Sequence, residues 1–282
     1  MQPPEATNRL VFTDLDGTLL DHDDYGYRDA LPLLEELEQR GIPVVFVSSK
    51  TRAEIEQLRG ELANRHPFVV ENGAAAFVPK GYFGASPPGT VERDGYHVIE
   101  WCPPRQRWLD ELAALEAEYG DEFDSFSRAG VEGVQRMTGL EGEAAARACA
   151  REYSEPVLWL GTPEREQDFV TRLRGRGAEV LRGGRFFSVG GKSDKGRAVV
   201  WLRDQYRAAR AGEVEDLAAG DSANDVAMLE EAGTALLVRS PAHDFPSLGR
   251  EGGVIRSTRC GPAGWAEGVA RWLQQLNEAQ EG

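Results

Sequence analysis

Two short acidic clusters carry the chemistry that this sequence could perform. Asp14-Leu15-Asp16-Gly17-Thr18 follows directly on the apolar run LVFT at 10–13. Ligands of an open parallel sheet bind beyond the carboxyl ends of its strands. Two carboxylates two residues apart at such a point can bring a divalent cation and a phosphate together. Taken alone, the segment would also serve as an ordinary polar turn, which Asp and Gly favour. The second cluster, Gly220-Asp221-Ser222-Ala223-Asn224-Asp225, closes another apolar stretch at 217–220. Helix capping would account for its Asp, Ser and Asn by itself. Magnesium takes hard oxygen ligands in near-octahedral geometry. Asp14, Asp16 and Asp221 supply such ligands if their strand ends are neighbours.

Two further segments fit the same chemistry. Ser48, Ser49 and Lys50 end the apolar run PVVFV at 43–47, where a hydroxyl and the amides of a helix start can hold phosphate oxygens. For Ser49 and Thr51, capping of that helix is an equally simple role. Lys192 and Lys195 stand in GGKSDKG, ahead of a helical pattern. A lysine there could offset the charge of carboxylates and phosphate; otherwise it is a solvated side chain.

The elements that must position these residues alternate between strand and helix. After the first strand, Ala30, Leu33, Leu34 and Leu37 fall at helical spacing, with Gly41 placed as a terminator. A buried strand at 43–47 leads into a helix marked by the capping-box pair Thr51 and Glu54 and by Ile55, Leu58 and Leu62. A third strand follows at 68–70. Beyond Val78 the pattern breaks into Gly/Pro-rich chain, helical stretches near 108–119, 143–151 and 164–174, and strands near 157–160 and 185–189. Alternation resumes at Ser193, read as a helix cap, with Ala198, Val199, Leu202 and Tyr206 on one face. Strands at 217–220 and 235–238 follow, then a C-terminal amphipathic helix carrying Trp265, Val269, Trp272 and Leu276. This order predicts an α/β protein: a doubly wound, Rossmann-like parallel-sheet core from residues 1–81 and 191–282, with an inserted α+β cap at 82–190.

Composition sets outer bounds. The 282 residues are 41% hydrophobic and 28% charged, ordinary for a globular chain. No apolar run reaches the length of a membrane span, and the N-terminus has no secretory apolar region. Three widely spaced cysteines argue against disulfide or zinc frameworks and for a reducing cytoplasm. A net charge of −15 disfavours nucleic acid and anionic membrane surfaces as partners. It also means that a site for anionic phosphates must gather positive charge locally.

With these residues in view, the chain resembles the haloacid dehalogenase superfamily of phosphatases. The matching residues are DLDGT at 14–18, Ser48, Lys195-Gly196 and GDSAND at 220–225, in the family's order. The resemblance implies that Asp14 attacks phosphorus to form an aspartyl phosphate, with Asp16 as general acid and then general base. It implies that Ser48 and Lys195 hold the phosphoryl group, and that Mg2+ is bound by Asp14, the Asp16 backbone carbonyl and Asp221. Asp225 would stand behind as a water-mediated ligand or orienting group, with Asn224 near phosphate or Lys195. The cap position is similar to that of type-C2 members, which act on small sugar phosphates.

A narrower likeness is to mannosyl-3-phosphoglycerate phosphatases. It rests on SSKTRAEIE at 48–56, ENGAAAF at 71–77, TGLEGEAAARACAREYSEP at 138–156, GGRFF at 183–187 and GGKSDKGRAV at 190–199. Ser49-Lys50 departs from the Gly-Arg usual after the superfamily's second motif but agrees with this narrower group. A sugar-glycerate phosphate would need a cationic or amide-rich contact for its carboxylate. The candidates are Ser49, Lys50, Arg52, Asn72 and Gly73, with Arg151 and Arg185 from the inserted module. Ion pairing at the surface is the simpler role for each arginine. Tyr153 and Trp159 could face a sugar, although their spacing suits a core.

Overall fold

The computed structural model describes residues 8–182 and 185–281, with side chains to residue 278. Gly183-Gly184, which open the GGRFF stretch, lie outside the described residues. In chain order the elements are β1 (Arg9–Thr13), α1 (Leu31–Gln39), β2 (Val44–Val47), α2 (Arg52–Glu61), β3 (Phe68–Val70), β4 (Ala75–Pro79), β5 (Val91–Arg93) and β6 (Tyr96–Glu100). The middle of the chain forms α3 (Gln106–Ala113), α4 (Glu116–Tyr119), β7 (Phe123–Ser125), α5 (Phe126–Thr138), α6 (Gly142–Cys149), β8 (Ser154–Trp159), α7 (Pro163–Gly175), β9 (Glu179–Arg182) and β10 (Phe187–Gly190). The remainder forms α8 (Lys195–Arg210), β11 (Glu215–Gly220), a 3-10 turn at Ala223–Asp225, α9 (Val226–Glu231), β12 (Thr234–Arg239), β13 (Val254–Cys260) and α10 (Gly261–Glu281).

These elements divide into two compact units. The first comprises the described chain up to Ser48, Asn64–Ile99 and the chain from Asp194 onward. It holds a nine-stranded sheet in the order β13-β12-β11-β1-β2-β3-β4-β6-β5. The strands from β13 to β3 pair in parallel, and β4 is antiparallel to β3. Every residue of β1 is buried, as a strand covered on both faces requires. Helix α8 turns Ala198, Val199, Leu202 and Tyr206 inward, and α10 buries Trp265, Val269, Trp272 and Leu273. Each such apolar side chain contributes roughly 1.5–3 kcal/mol on burial.

The cap of α8 is Asp194, not Ser193: its carboxylate accepts from Gly196 N at 2.8 Å and Arg197 N at 3.2 Å. An Asp one residue closer to the helix reaches the orphan amides of its first turn, and its charge suits the helix dipole there. The β5–β6 hairpin, assigned from sequence to the inserted module, extends the nine-stranded sheet. Tyr96 explains this placement, standing edge-on to Phe68 and Phe77 with ring centroids 5.5 and 5.7 Å apart.

The second unit comprises Ser49–Ala63 and Glu100–Ser193. Its four-stranded sheet, β7-β8-β10-β9, is antiparallel throughout. Trp108, Leu112, Tyr119, Phe123, Phe169 and Leu173 form its main core. Tyr153 is buried with its hydroxyl on Glu100 Oε1 at 2.6 Å, and the Trp159 ring lies 5.1 Å from Phe169. Both therefore take the core role. Fully buried Glu155 accepts from Arg105 Nε at 2.6 Å and Ser127 N at 2.7 Å, while Arg105 Nη1 reaches Cys149 O at 2.9 Å. A buried carboxylate is tolerable only with such partners.

Helix α2 groups with this second unit through specific bonds. The Thr51 hydroxyl donates to Arg147 O at 2.9 Å, and Arg52 Nε lies 2.9 Å from Glu152 Oε1. The expected capping box is formed: Glu54 N donates to Thr51 Oγ1, and Thr51 N donates to Glu54 Oε2. Among the described residues, no helix is long and apolar enough to cross a membrane. Replacing Thr51 by Ala removes both the cap and the Arg147 bond. The variant should lose about 1–2 kcal/mol in urea unfolding; an unchanged midpoint would show the cap to be dispensable.

Candidate active site

Strand register brings the two acidic clusters together. Thr13 pairs with Ala219 on β11 and with Phe46 on β2. The last ladder bond runs from Asp14 N to Ala219 O at 2.9 Å. Asp14 and Asp221 therefore leave the sheet side by side. Strands β2 and β3 lie to one side of β1, and β11 and β12 to the other. This reversal of strand order is where an α/β sheet opens a crevice for ligands. Ser48, at the end of β2, is buried on the same edge, its N–H donating to Val69 O at 3.1 Å.

At this edge Lys195, the first residue of α8, is 1% exposed. Its Nζ donates to Asp14 Oδ1 at 2.7 Å and to Asp225 Oδ1 at 2.6 Å. The other oxygen of Asp225 accepts from Asp221 N and Ser222 N, each at 3.1 Å. Asp225 thus shapes the 220–225 loop with one oxygen and holds the lysine with the other. Asp221 accepts from Thr18 Oγ1 at 3.3 Å, and His243 Nε2 lies 3.4 Å from its Oδ2. Gly17 is required for this approach. It has φ +76°, and a Cβ there would stand 2.7 Å from Asp221 Oδ2.

Asp14, Asp221 and Asp225 offer carboxylate oxygens that all lie within 4.8 Å of one another. With all three ionised, three negative charges face the one positive charge of Lys195, an excess of two. Burial, then the charge of Asp225, raises the pKa of Asp14 well above the usual carboxylate range, despite the opposing pull of Lys195. Burial and Asp225 likewise push Asp221 up to about 6. Burial alone would lower Lys195, but Asp14 and Asp225 together outweigh it and hold the ammonium charged. Hard oxygen donors with two uncompensated charges suit a divalent cation. The Asp16 carboxylate is not part of this cluster, so any ligand from Asp16 would be its backbone carbonyl.

The remaining candidates divide between the units. In the first, Asn224 Nδ2 donates to Asn72 Oδ1 at 3.2 Å, and Gly73 lies against the start of α8. In the second, Lys50 pairs with Glu54 at 3.7 Å and Arg52 with Glu152. Arg151 donates from Nη2 to Ser49 O at 2.8 Å and from Nε to Ser154 Oγ at 3.1 Å. The nearby carboxylates Glu152 and Glu155 pair with Arg52 and Arg105. Exposed Arg185 reaches Thr138 O at 3.4 Å. Sequence reasoning missed Thr18 and His243 as Asp221 partners. Thr18 could have been found from its place in the first motif, whereas nothing local distinguishes His243.

The raised pKa of Asp221 sets the sign of a pH effect. A carboxyl whose folded pKa lies above its unfolded value destabilises the fold as pH rises from about 4 through about 6, by about 2–3 kcal/mol here. Chelated wild-type protein should therefore lose stability relative to Asp221→Asn between about pH 4.5 and pH 7.5. A divalent cation should restore it in the wild type far more than in the variant. Thermal unfolding with chelator and with magnesium measures both; parallel curves for the two proteins would contradict the assignment.

Two family models match the chain. Haloacid dehalogenase-like hydrolase matches residues 11–83, and sucrose-6F-phosphate phosphohydrolase matches residues 179–272. A glucosyl-3-phosphoglycerate/mannosyl-3-phosphoglycerate phosphatase of Methanococcoides burtonii is 35% identical, covering 95% of this chain and 98% of the relative. A mannosyl-3-phosphoglycerate phosphatase of Pyrococcus furiosus is 38% identical, covering 84% of this chain and 93% of the relative. A haloacid dehalogenase-superfamily phosphatase structure from Bacteroides thetaiotaomicron has the same fold, with TM-score 0.63 at 16% identity, covering 98% of each chain. Sequence, sheet order and the acidic site thus converge, and the chain belongs to the phosphatases of the haloacid dehalogenase-like hydrolase family.

Proposed function

We propose that the protein is a magnesium-dependent phosphomonoesterase that dephosphorylates mannosyl-3-phosphoglycerate through an aspartyl-phosphate intermediate. The observation that carries the mechanism is buried Lys195, bound at once to Asp14 and Asp225. It fixes the Asp14 carboxylate by one oxygen and opposes the burial that raises its pKa. Asp14 attacks phosphorus, forming an O–P bond as the ester P–O bond breaks. Asp16 gives its proton to the departing sugar-glycerate oxygen. It then takes a proton from water, whose oxygen attacks phosphorus, releases inorganic phosphate and regenerates Asp14. Ser48 and Lys195 hold the phosphoryl oxygens. Asp14, the Asp16 carbonyl and Asp221 would hold Mg2+, which supplies charge neutralisation at the transferring phosphoryl group. Asp225 and Asn224 orient that set.

The substrate reading is supported by relatives bearing that name over most of the chain's length. The double name of the Methanococcoides burtonii relative favours glucosyl-3-phosphoglycerate as a second substrate. The product would be a sugar glycerate of the compatible-solute type. The glycerate carboxylate calls for a cation, and Lys50, Arg52, Arg151 and Arg185 are the candidates, with Ser49 beside them. A phosphomutase would need a small helical cap after the first motif, whereas the insertion of this chain is of α+β type and follows the third strand. A sugar-phosphate sensor without catalysis would have no use for both acidic clusters. Three free cysteines fit a cytoplasmic setting.

Phosphate release should be assayed on mannosyl-3-phosphoglycerate, glucosyl-3-phosphoglycerate, 3-phosphoglycerate and glucose 6-phosphate, with magnesium and with chelator. The expected result is magnesium-dependent release with clear preference for the glycosyl-phosphoglycerates. Comparable rates on all four would discard the substrate assignment. Asp14→Asn should lower kcat by at least ~10³-fold while folding normally, and retained turnover would sink the mechanism.

A further inference from the structure

Between β3 and β4 the chain runs through three consecutive left-handed residues. Glu71, Asn72 and Gly73 have φ of 48°, 61° and 91°. Two of them are not glycine, and such conformations cost of order 1–3 kcal/mol each and persist only where the surroundings impose them. The contacts of this turn show what imposes them. A Cβ on Gly73 would lie 2.3 Å from Asp194 O and 2.7 Å from Lys195 N. The turn's backbone therefore lies directly against the peptide from which the Lys195 side chain springs. One residue earlier, Asn72 Oδ1 accepts from Asn224 Nδ2, on the loop that carries Asp221 and Asp225. Asn72 N donates to Ser48 O at 2.9 Å. A single strained turn thus touches Ser48, the start of α8 and the 220–225 loop.

We propose that the Glu71–Gly73 turn is a positioning element of the catalytic site, with Gly73 setting the position of Lys195 and Asn72 that of Asn224, neither touching substrate. The proposal rests on Lys195 being the group that holds Asp14 for attack. Only glycine allows this approach, because any side chain at residue 73 must push back the first turn of α8. A misplacement of about 1 Å at a catalytic group can cost roughly 10²-fold in rate. The turn's strain is then explained: a relaxed turn would not place its backbone against both partners.

Gly73→Ala tests this directly. Its kcat should fall at least ~30-fold with KM changed less than ~3-fold, the pattern of lost transition-state positioning. A raised KM at unchanged kcat would instead make Gly73 a substrate contact and overturn the proposal. Asn72→Gly keeps the left-handed turn but removes the amide. It should reproduce the kcat loss of Asn224→Ala, with the double variant no worse than either single one. Additive losses would overturn the link to Asn224. A readout independent of turnover is acylation of Lys195 by an amine reagent, measured by peptide mass spectrometry against exposed Lys80. Wild-type Lys195 should resist, and Gly73→Ala should raise its labelling by about 10-fold or more, as a displaced amine gains access. Unchanged labelling of Lys195 in Gly73→Ala would overturn the proposal. Should Gly73→Ala fail to fold, Asn72→Gly decides through kcat whether the turn positions the site, and an unchanged kcat would overturn the proposal. If the wild type hydrolyses no ester, the functional reading falls, while the labelling still decides whether the turn positions Lys195.

Discussion

An ammonium group held between two buried carboxylates is the constraint around which this catalytic unit is arranged. Removing Lys195, Asp14 and Asp225 from water is costly, and their mutual attraction repays it only if the geometry is good and the remaining polar atoms find partners. The surrounding backbone supplies those partners. Asp225 takes the amides of Asp221 and Ser222, and Asp14 continues the ladder of β1 through its own amide. Asp194 caps the helix on which Lys195 stands. Losing any one of these would leave a charge in the interior without compensation.

The same arrangement reconciles an acidic chain with an anionic substrate. The net charge is −15, yet the site needs positive potential where phosphate binds. One lysine among three carboxylates cannot provide it alone. The excess negative charge instead suits a divalent cation, and under the proposed function metal and lysine would face the phosphate together.

Much of this was legible in the sequence because it depended on local rules. Apolar runs of strand length marked β1, β2, β3, β11 and β12, and the spacing of Val199, Leu202 and Tyr206 marked the buried face of α8. The pairing of Asp14 with Lys195 came from the family resemblance, since the lysine taken alone could equally have been a solvated side chain. What escaped depended on tertiary contacts. β13 carries Arg256, Thr258 and Arg259 and reads as polar chain, while its pairing with β12 and its packing against α10 make it a strand. Helix α5 is interrupted at Gly130, where φ of 63° breaks the period that would have announced it. Arg105 reads as a surface arginine following Pro103-Pro104, and only the fold reveals buried Glu155 beside it. His243 sits in a loop without periodicity, and its approach to Asp221 is a property of the folded chain alone.

The position of β1 also has a consequence for biosynthesis. It is synthesised well before one of its two neighbours, β11, which begins at Glu215, and the bond from Lys195 to Asp14 spans 181 residues. Contacts of such separation form late and slowly. Until then a growing chain carries a strongly apolar strand with one open edge and an acidic residue without its counter-ion. Such an intermediate calls for chaperone shelter during translation. A circular permutant opened at the exposed 84–86 turn would place β11 ahead of β1 and nearer to it in synthesis order, shortening that interval.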